Sequence, residues 1–216
     1  MTDFSRHMGA AILCDKAYDS KRSDIWSVRE TDALVVIKKD RIKINFRGTE
    51  ASNAWPIKWS LAALSNTRDV IKDLRVWPWR SATVGWVHKG FGVGAAHWLS
   101  VYALRLVQLG LPLEFSGHSL GAAVAVQAVP LAIGMGFDVK EAVVFGEPAS
   151  FYFSSEDRYR KLNIPTYSYL NANDWIGRVP PWGEPSVPRT YLNPEEGMSL
   201  KAHDIKEYVN VLEKHL

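Results

Sequence analysis

The chain has 216 residues, 47% hydrophobic and 23% charged, the usage of an ordinary globular protein; this excludes a disordered or fibrous chain and sets one domain over 1–216 as the expectation. A net charge of +3 with interspersed signs excludes a basic nucleic-acid-binding arm, while the sequence pI of 8.9 suits contact with anionic lipid. A single cysteine, Cys14, excludes an internal disulfide, and the longest apolar run, 121–135, is broken by Pro130 and falls short of the roughly 20 residues of a membrane-spanning helix.

The N-terminus has Asp3 and only a short apolar stretch before Cys14 and Asp15, unlike the basic-then-apolar order of a secretion signal. A cytoplasmic protein, or one released without a leader, is expected. Residues 4–18 read as a helix, and 25–28, 33–37 and 42–46 as short strands separated by charged turns. Over 91–109, Ala95, Trp98, Val101, Leu104, Leu106 and Val107 recur at near-helical spacing, and Gly110 with Pro112 supplies a stop. Residues 111–115 read as a strand, 119–133 as a helix of small residues, and 142–145 as a buried strand; that order implies a parallel pair. A strand over 167–170, a Pro/Gly-rich loop over 176–188 and a closing helix over 203–212 complete an α/β chain without repeats or linkers.

Between the strand at 111–115 and the helix at 119–133 lies Gly117-His118-Ser119-Leu120-Gly121, a G-x-S-x-G sequence in the strand-turn-helix setting that gives the motif meaning. A nucleophile on a strained turn needs neighbours without side chains two positions away, and Gly117 and Gly121 meet that need. The helix that starts here aims its positive end at the place where negative charge develops during acyl transfer. On these five residues alone, a glycine-flanked turn before a helix is the competing reading.

A serine hydroxyl is a weak nucleophile near pH 7 and needs an imidazole to take its proton and a carboxylate to fix the imidazole tautomer. In the order Ser, Asp/Glu, His, only His203 and His215 follow Ser119, and His215 is penultimate, so His203 is the candidate base. His7, His88 and His97 precede the nucleophile, and His118 should point away from its neighbour's hydroxyl. Asp174, just past the apolar strand ending at Leu170, is the candidate acid, because strand carboxyl ends gather catalytic groups in doubly wound folds. Asp204 stands next to His203 on a helix, where adjacent side chains diverge; Asp138, Glu147, Glu156 and Asp157 read as solvated surface positions.

These residues resemble the class 3 lipases, the fungal-type triacylglycerol lipases of the α/β-hydrolase superfamily. The matching blocks are Ile44 to Thr49 (INFRGT), Val87 to Phe91 (VHKGF), Gly117 to Ala123, Phe145 to Pro148 (FGEP), Asn171 to Pro181, and Ala202-His203 with Tyr208. Departures are Ala122 in place of a second elbow-helix glycine, Ala149 in place of an arginine, and the lack of the secreted members' disulfides. The resemblance implies an α/β-hydrolase fold, a mostly parallel central sheet flanked by helices with a short lid after the oxyanion strand. It implies the same triad, Ser119, Asp174 and His203, and an oxyanion hole from Thr49 and the backbone N–H of Leu120.

After Thr49, Trp55 and Trp59 stand four apart with Leu61 and Leu64 beyond, an apolar surface on a short helix; 51–65 is the lid candidate, the alternative being fixed core packing. Trp55, Trp59, Leu61 and His118 are assigned to the lid and acyl site. Trp77, Trp79 and Trp182 read first as core. The expected activity is hydrolysis of carboxylic esters of acyl lipids through an acyl-enzyme on Ser119, of triacylglycerol lipase or esterase type. Phospholipase A1 or general carboxylesterase activity is the near alternative, and an acyltransferase or a non-catalytic lipid-binding module the distant one. No metal or organic cofactor is implied, since the chemistry is complete in these side chains. The expected partners are an acyl ester or lipid and, transiently, a lipid surface, with no nucleic acid; the oligomeric state is left open.

Overall fold

Tight hairpins first, helical crossovers afterwards: these two kinds of connection build the central sheet in the computed structural model, which describes residues 3–19, 21–48, 78–193 and 201–214. Helix α1 (Asp3–Lys16) leads into β1 (Ile25–Val28), β2 (Thr31–Ile37) and β3 (Ile42–Phe46), paired antiparallel in that order. Their connections are short and charged: Arg29 turns the first at φ 53, and in the second the Lys38 N–H donates to the Arg41 carbonyl at 2.8 Å. From β3 onward every pairing is parallel: β3 with β6 (Leu113–His118), β6 with β7 (Val139–Phe145), β7 with β8 (Thr166–Asn171) and β8 with β9 (Arg189–Leu192). The seven strands lie in the order β1-β2-β3-β6-β7-β8-β9, and β4 (Pro78–Ser81) and β5 (Gly85–His88) form a separate antiparallel pair.

Parallel strands need crossovers; here two crossover helices bury one face of the sheet and the terminal helices bury the other. Helices α2 (Lys89–Leu109) and α3 (Leu120–Gly134) cover one face, with Trp98, Phe46, Phe115, Val126 and Val144 in its core. α1 and α5 (Ile205–Glu213) cover the other, where Ala11, Cys14, Phe145, Tyr169, Tyr208 and Leu212 meet. A short helix, α4 (Ser155–Arg160), lies between β7 and β8. All six residues of β6 are buried, as a central strand between two helical layers requires. No helix of the described residues is long and apolar enough to cross a membrane.

The order of elements and the parallel β6-α3-β7 unit match the expectation, as does the end of α2, where Gly110 at φ 63 donates to the Leu106 and Val107 carbonyls. The face of α2 does not match. Phe91, Ala95, Trp98, Leu99 and Leu106 are buried, whereas Val101, Leu104 and Val107 are exposed. Three-residue steps drift by about 60° each around a helix of 3.6 residues per turn, so the row Trp98, Val101, Leu104, Val107 walks out of the core.

Glu147 corrects a second expectation: it is fully buried rather than solvated. Its carboxylate accepts from Ser168 Oγ at 2.9 Å, the Ser186 N–H at 2.9 Å and Ser186 Oγ at 3.0 Å, and Arg189 donates to its carbonyl at 3.0 Å. Burial raises its pKa, and these donors and the Arg189 charge oppose the rise. The group ties the start of β9 to the exit of β7. Glu147→Ala leaves three buried donors unserved and should cost about 3 kcal/mol of stability, with Glu147→Gln costing less; denaturant unfolding, read as a lower midpoint at unchanged slope, checks both.

Candidate active site

The elbow is built by exclusion of Cβ atoms. A Cβ on Gly117 would fall on the Gly121 carbonyl, and one on Gly121 would fall on the Phe46 carbonyl at the end of β3. With both absent, the strand and helix close on Ser119, which takes φ 59, ψ −129, a conformation that L-residues adopt only when their surroundings impose it. Ser119 is partly exposed while His118 before it is buried. The backbone N–H of Leu120 opens the first turn of α3, where no carbonyl four residues back exists to receive it. It is therefore available to an oxyanion beside Ser119.

His203 lies on a 3₁₀ turn (Lys201–His203) just ahead of α5, and Asp174 in the turn after β8, where its N–H donates to the Asn171 carbonyl at 2.9 Å. The structure brings the three residues into one line. Nε2 of His203 is 2.7 Å from Ser119 Oγ, and Nδ1 is 2.7 Å from Asp174 Oδ2. Asp174 is fully buried, yet its carboxylate is well served: Oδ2 also accepts from the Tyr208 hydroxyl at 2.6 Å, and Oδ1 from the Ile176 N–H at 2.9 Å. Burial by itself would raise its pKa. The hydrogen bond and charge of His203, then Tyr208 and the Ile176 N–H, more than offset this and hold it below the ordinary carboxylate value. Burial and the Asp174 charge push the Tyr208 hydroxyl well above its usual pKa, so it stays a donor.

Two contributors had no role in the sequence reading. Tyr208 stood inside a quoted family block, but its role depends on a carboxylate 34 residues away. Gly146, in the FGEP block, has φ 58, and a Cβ there would stand 3.0 Å from both Asp174 Oδ2 and His203 Cε1; any other residue is strained at that angle and presses on the Asp174–His203 pair. Asn171 adds a grip on the base, its Nδ2 donating to the Ala202 carbonyl at 2.8 Å. Asp204 caps α5 by accepting from the Lys206 N–H at 3.0 Å and takes no part in the line.

His118, grouped in the sequence reading with the acyl site, sits behind the base instead of facing outward. It is 4% exposed, with Nδ1 2.8 Å from the Tyr18 hydroxyl and Nε2 2.7 Å from the His203 carbonyl. Burial and the neighbouring His203 pull its pKa down to about 3, so the ring is neutral at working pH. His7 bonds the Tyr169 hydroxyl at 2.6 Å and His88 stacks on Phe91 at 4.1 Å, both away from the line. Trp79 lies against Gly92 of α2, while Trp182 is 55% exposed. Thr49, Trp55, Trp59, Leu61 and the whole lid candidate 51–65 lie outside the described residues. Among the described residues no group of three or more His, Cys, Asp or Glu side chains is placed to hold a metal ion.

The family model of the class 3 lipases matches residues 44–184. The chain belongs to the class 3 lipases. The lipase is thus a carboxylic-ester hydrolase of the α/β-hydrolase superfamily. Among solved structures it is similar to the Rhizomucor miehei triacylglyceride lipase, with 19% identity and a TM-score of 0.69 over 90% of this chain and 82% of that one. It is similar also to lipase II of Rhizopus niveus, with 18% identity and a TM-score of 0.61 over 88% and 79%. A triacylglycerol lipase whose catalytic centre is a serine-protease triad is 22% identical, with a TM-score of 0.58 over 82% and 72%. These likenesses bear on the fold. No curated protein sequence matches the lipase significantly.

Tyr208→Phe removes one donor from Asp174, so the carboxylate is fixed less firmly against His203. On a soluble ester kcat should fall about tenfold with KM within about twofold; initial rates over a range of substrate concentrations read both.

Proposed function

We propose that the lipase hydrolyses carboxylic esters of acyl lipids through an acyl-enzyme on Ser119. The observation that carries this reading is the unbroken line from Ser119 Oγ through His203 to a buried, ionised Asp174, each link 2.7 Å, with the serine on a strained elbow. His203 Nε2 takes the Ser119 proton as Oγ bonds to the ester carbonyl carbon. The tetrahedral oxyanion is received by the Leu120 N–H and by Thr49. The intermediate collapses, the C–O bond to the alcohol breaks, and His203 returns the proton to the leaving oxygen. A water then loses its proton to His203 as it attacks the acyl carbon, and Ser119 leaves with that proton. Asp174 stays ionised throughout, fixing the tautomer and offsetting the positive charge on the imidazole. The triad of the similar triacylglycerol lipase supports this assignment of roles.

Acyl lipids are favoured over small soluble esters by the family and by aromatic side chains on the surface. Trp86, Phe153 and Trp182 are 41%, 78% and 55% exposed and are set around the bridges that join Phe151 to Val87 and Glu184, an arrangement suited to transient contact with a lipid surface. The lid at 51–65 and the acyl-site roles of Trp55, Trp59 and Leu61 are part of the same proposal.

Purified enzyme and its Ser119→Ala variant are to be assayed on p-nitrophenyl butyrate and palmitate, with and without detergent, alongside a fluorophosphonate probe. Labelling and turnover should vanish in the variant, with palmitate in micelles preferred; a preference for butyrate without detergent would instead assign a general carboxylesterase. Asp174→Asn should lower kcat about 10³- to 10⁴-fold while the protein remains folded. A folded wild type that takes no label would overturn the assignment of the nucleophile.

A further inference from the structure

We propose that Tyr18 and His118 are positioning residues for ester hydrolysis, forming a strut between the main chain of the base His203 and the main chain that leads into Thr49. The inference rests on reading Ser119 and His203 as nucleophile and base. It starts from a residue that the elbow does not require: the turn needs glycine at 117 and 121, but a buried imidazole at 118 serves neither the turn nor the line of the triad.

The hydrogen bonds of His118 settle its tautomer. The His203 carbonyl can only accept, so Nε2, 2.7 Å away, carries the proton; Nδ1 then has only a lone pair and takes the Tyr18 O–H at 2.8 Å. The Tyr18 oxygen also lies against the main chain at Gly48, in the space that a Cβ there would need. The bonds therefore run in one direction, from Tyr18 to His118 and from His118 to the carbonyl of the base. With the contact at Gly48 they join the segment after α1, the exit of β3, the end of β6 and the turn of His203, across sequence separations of 100 and 85 residues. The rings of His118 and His203 lie 4.8 Å apart, so the strut must also stay neutral while His203 is charged.

Glutamine and asparagine divide the two functions of the imidazole. The amide nitrogen of glutamine reaches the place of Nε2 and can still donate to the His203 carbonyl; asparagine reaches only the place of Nδ1 and can still accept from Tyr18. On p-nitrophenyl butyrate, His118→Gln and Tyr18→Phe, which both keep the donor to the His203 carbonyl and break the bond to Tyr18, should each lose about 3- to 10-fold in kcat, and His118→Asn about 10- to 100-fold, all with KM within about twofold. Equal kcat in the two His118 variants, or losses confined to KM, would overturn the strut. If thermal melts show that the His118 variants do not fold, Tyr18→Phe decides alone, and an unchanged kcat overturns the proposal. Wild type and Ser119→Ala are run with the fluorophosphonate probe in the same series: labelling of the wild type with unaffected variants counts against the strut only, whereas an unlabelled wild type counts against the nucleophile itself.

Discussion

The site depends on how closely three stretches of main chain approach one another. The end of β3, the turn at Ser119 and the first turn of α3 meet with no room for a single added carbon at Gly117 or Gly121. At Gly48 the same holds against the Tyr18 hydroxyl and the His118 carbonyl. This contact keeps Ser119 at its unfavourable backbone angles, and it brings the strand that leads to Thr49 against the nucleophile. Packing forces of this kind are short-ranged, so they are stiff: a shift of an ångström means either overlap or a void. The alanines of α3, buried along most of its length, continue the same tight seam between the helix and the sheet.

Around that seam the electrostatics are arranged so that one charge is held permanently and another is made transiently. Asp174 has given up water entirely and received three donors in return, from His203, Tyr208 and the Ile176 main chain. One of those donors, Tyr208 on α5, lies beneath Phe145 and His118 in edge-on ring contacts, so the packing of α5 on the sheet fixes its hydrogen bond to Asp174. In the proposed reaction a charge formed on His203 meets an anion already in place and a neutral imidazole behind it, which costs little reorganisation at the moment of reaction.

Much of this was legible in the sequence because it is local. The stop at Gly110, the strand-turn-helix around Ser119 and the acid just beyond β8 are each fixed by a few adjacent residues. What was missed is non-local or weakly patterned. β9, with the sequence RTYL and two exposed residues, is an edge strand without an apolar signature, and α4, SEDRYR, is too short and polar to show a period. Glu147 reads as surface until the donors from positions 168 and 186 arrive beside it. Gly146 and Tyr208 belong to recognisable blocks, but what they touch comes from other parts of the chain. His118 next to Ser119 reads as an acyl-site residue, but alternation along β6 turns it the other way, toward Tyr18.

The way in which the base is gripped has a further consequence. Asn171 holds the carbonyl of Ala202 and His118 holds the carbonyl of His203, so the turn is gripped through its main chain. A main-chain grip does not read the identity of the residue that it holds. Substitutions along this turn leave the imidazole in place only while the two gripping residues and the backbone path persist and the buried position 202 stays small. Asn171 and His118, each far from His203 in sequence, thus constrain it as much as its own neighbours do.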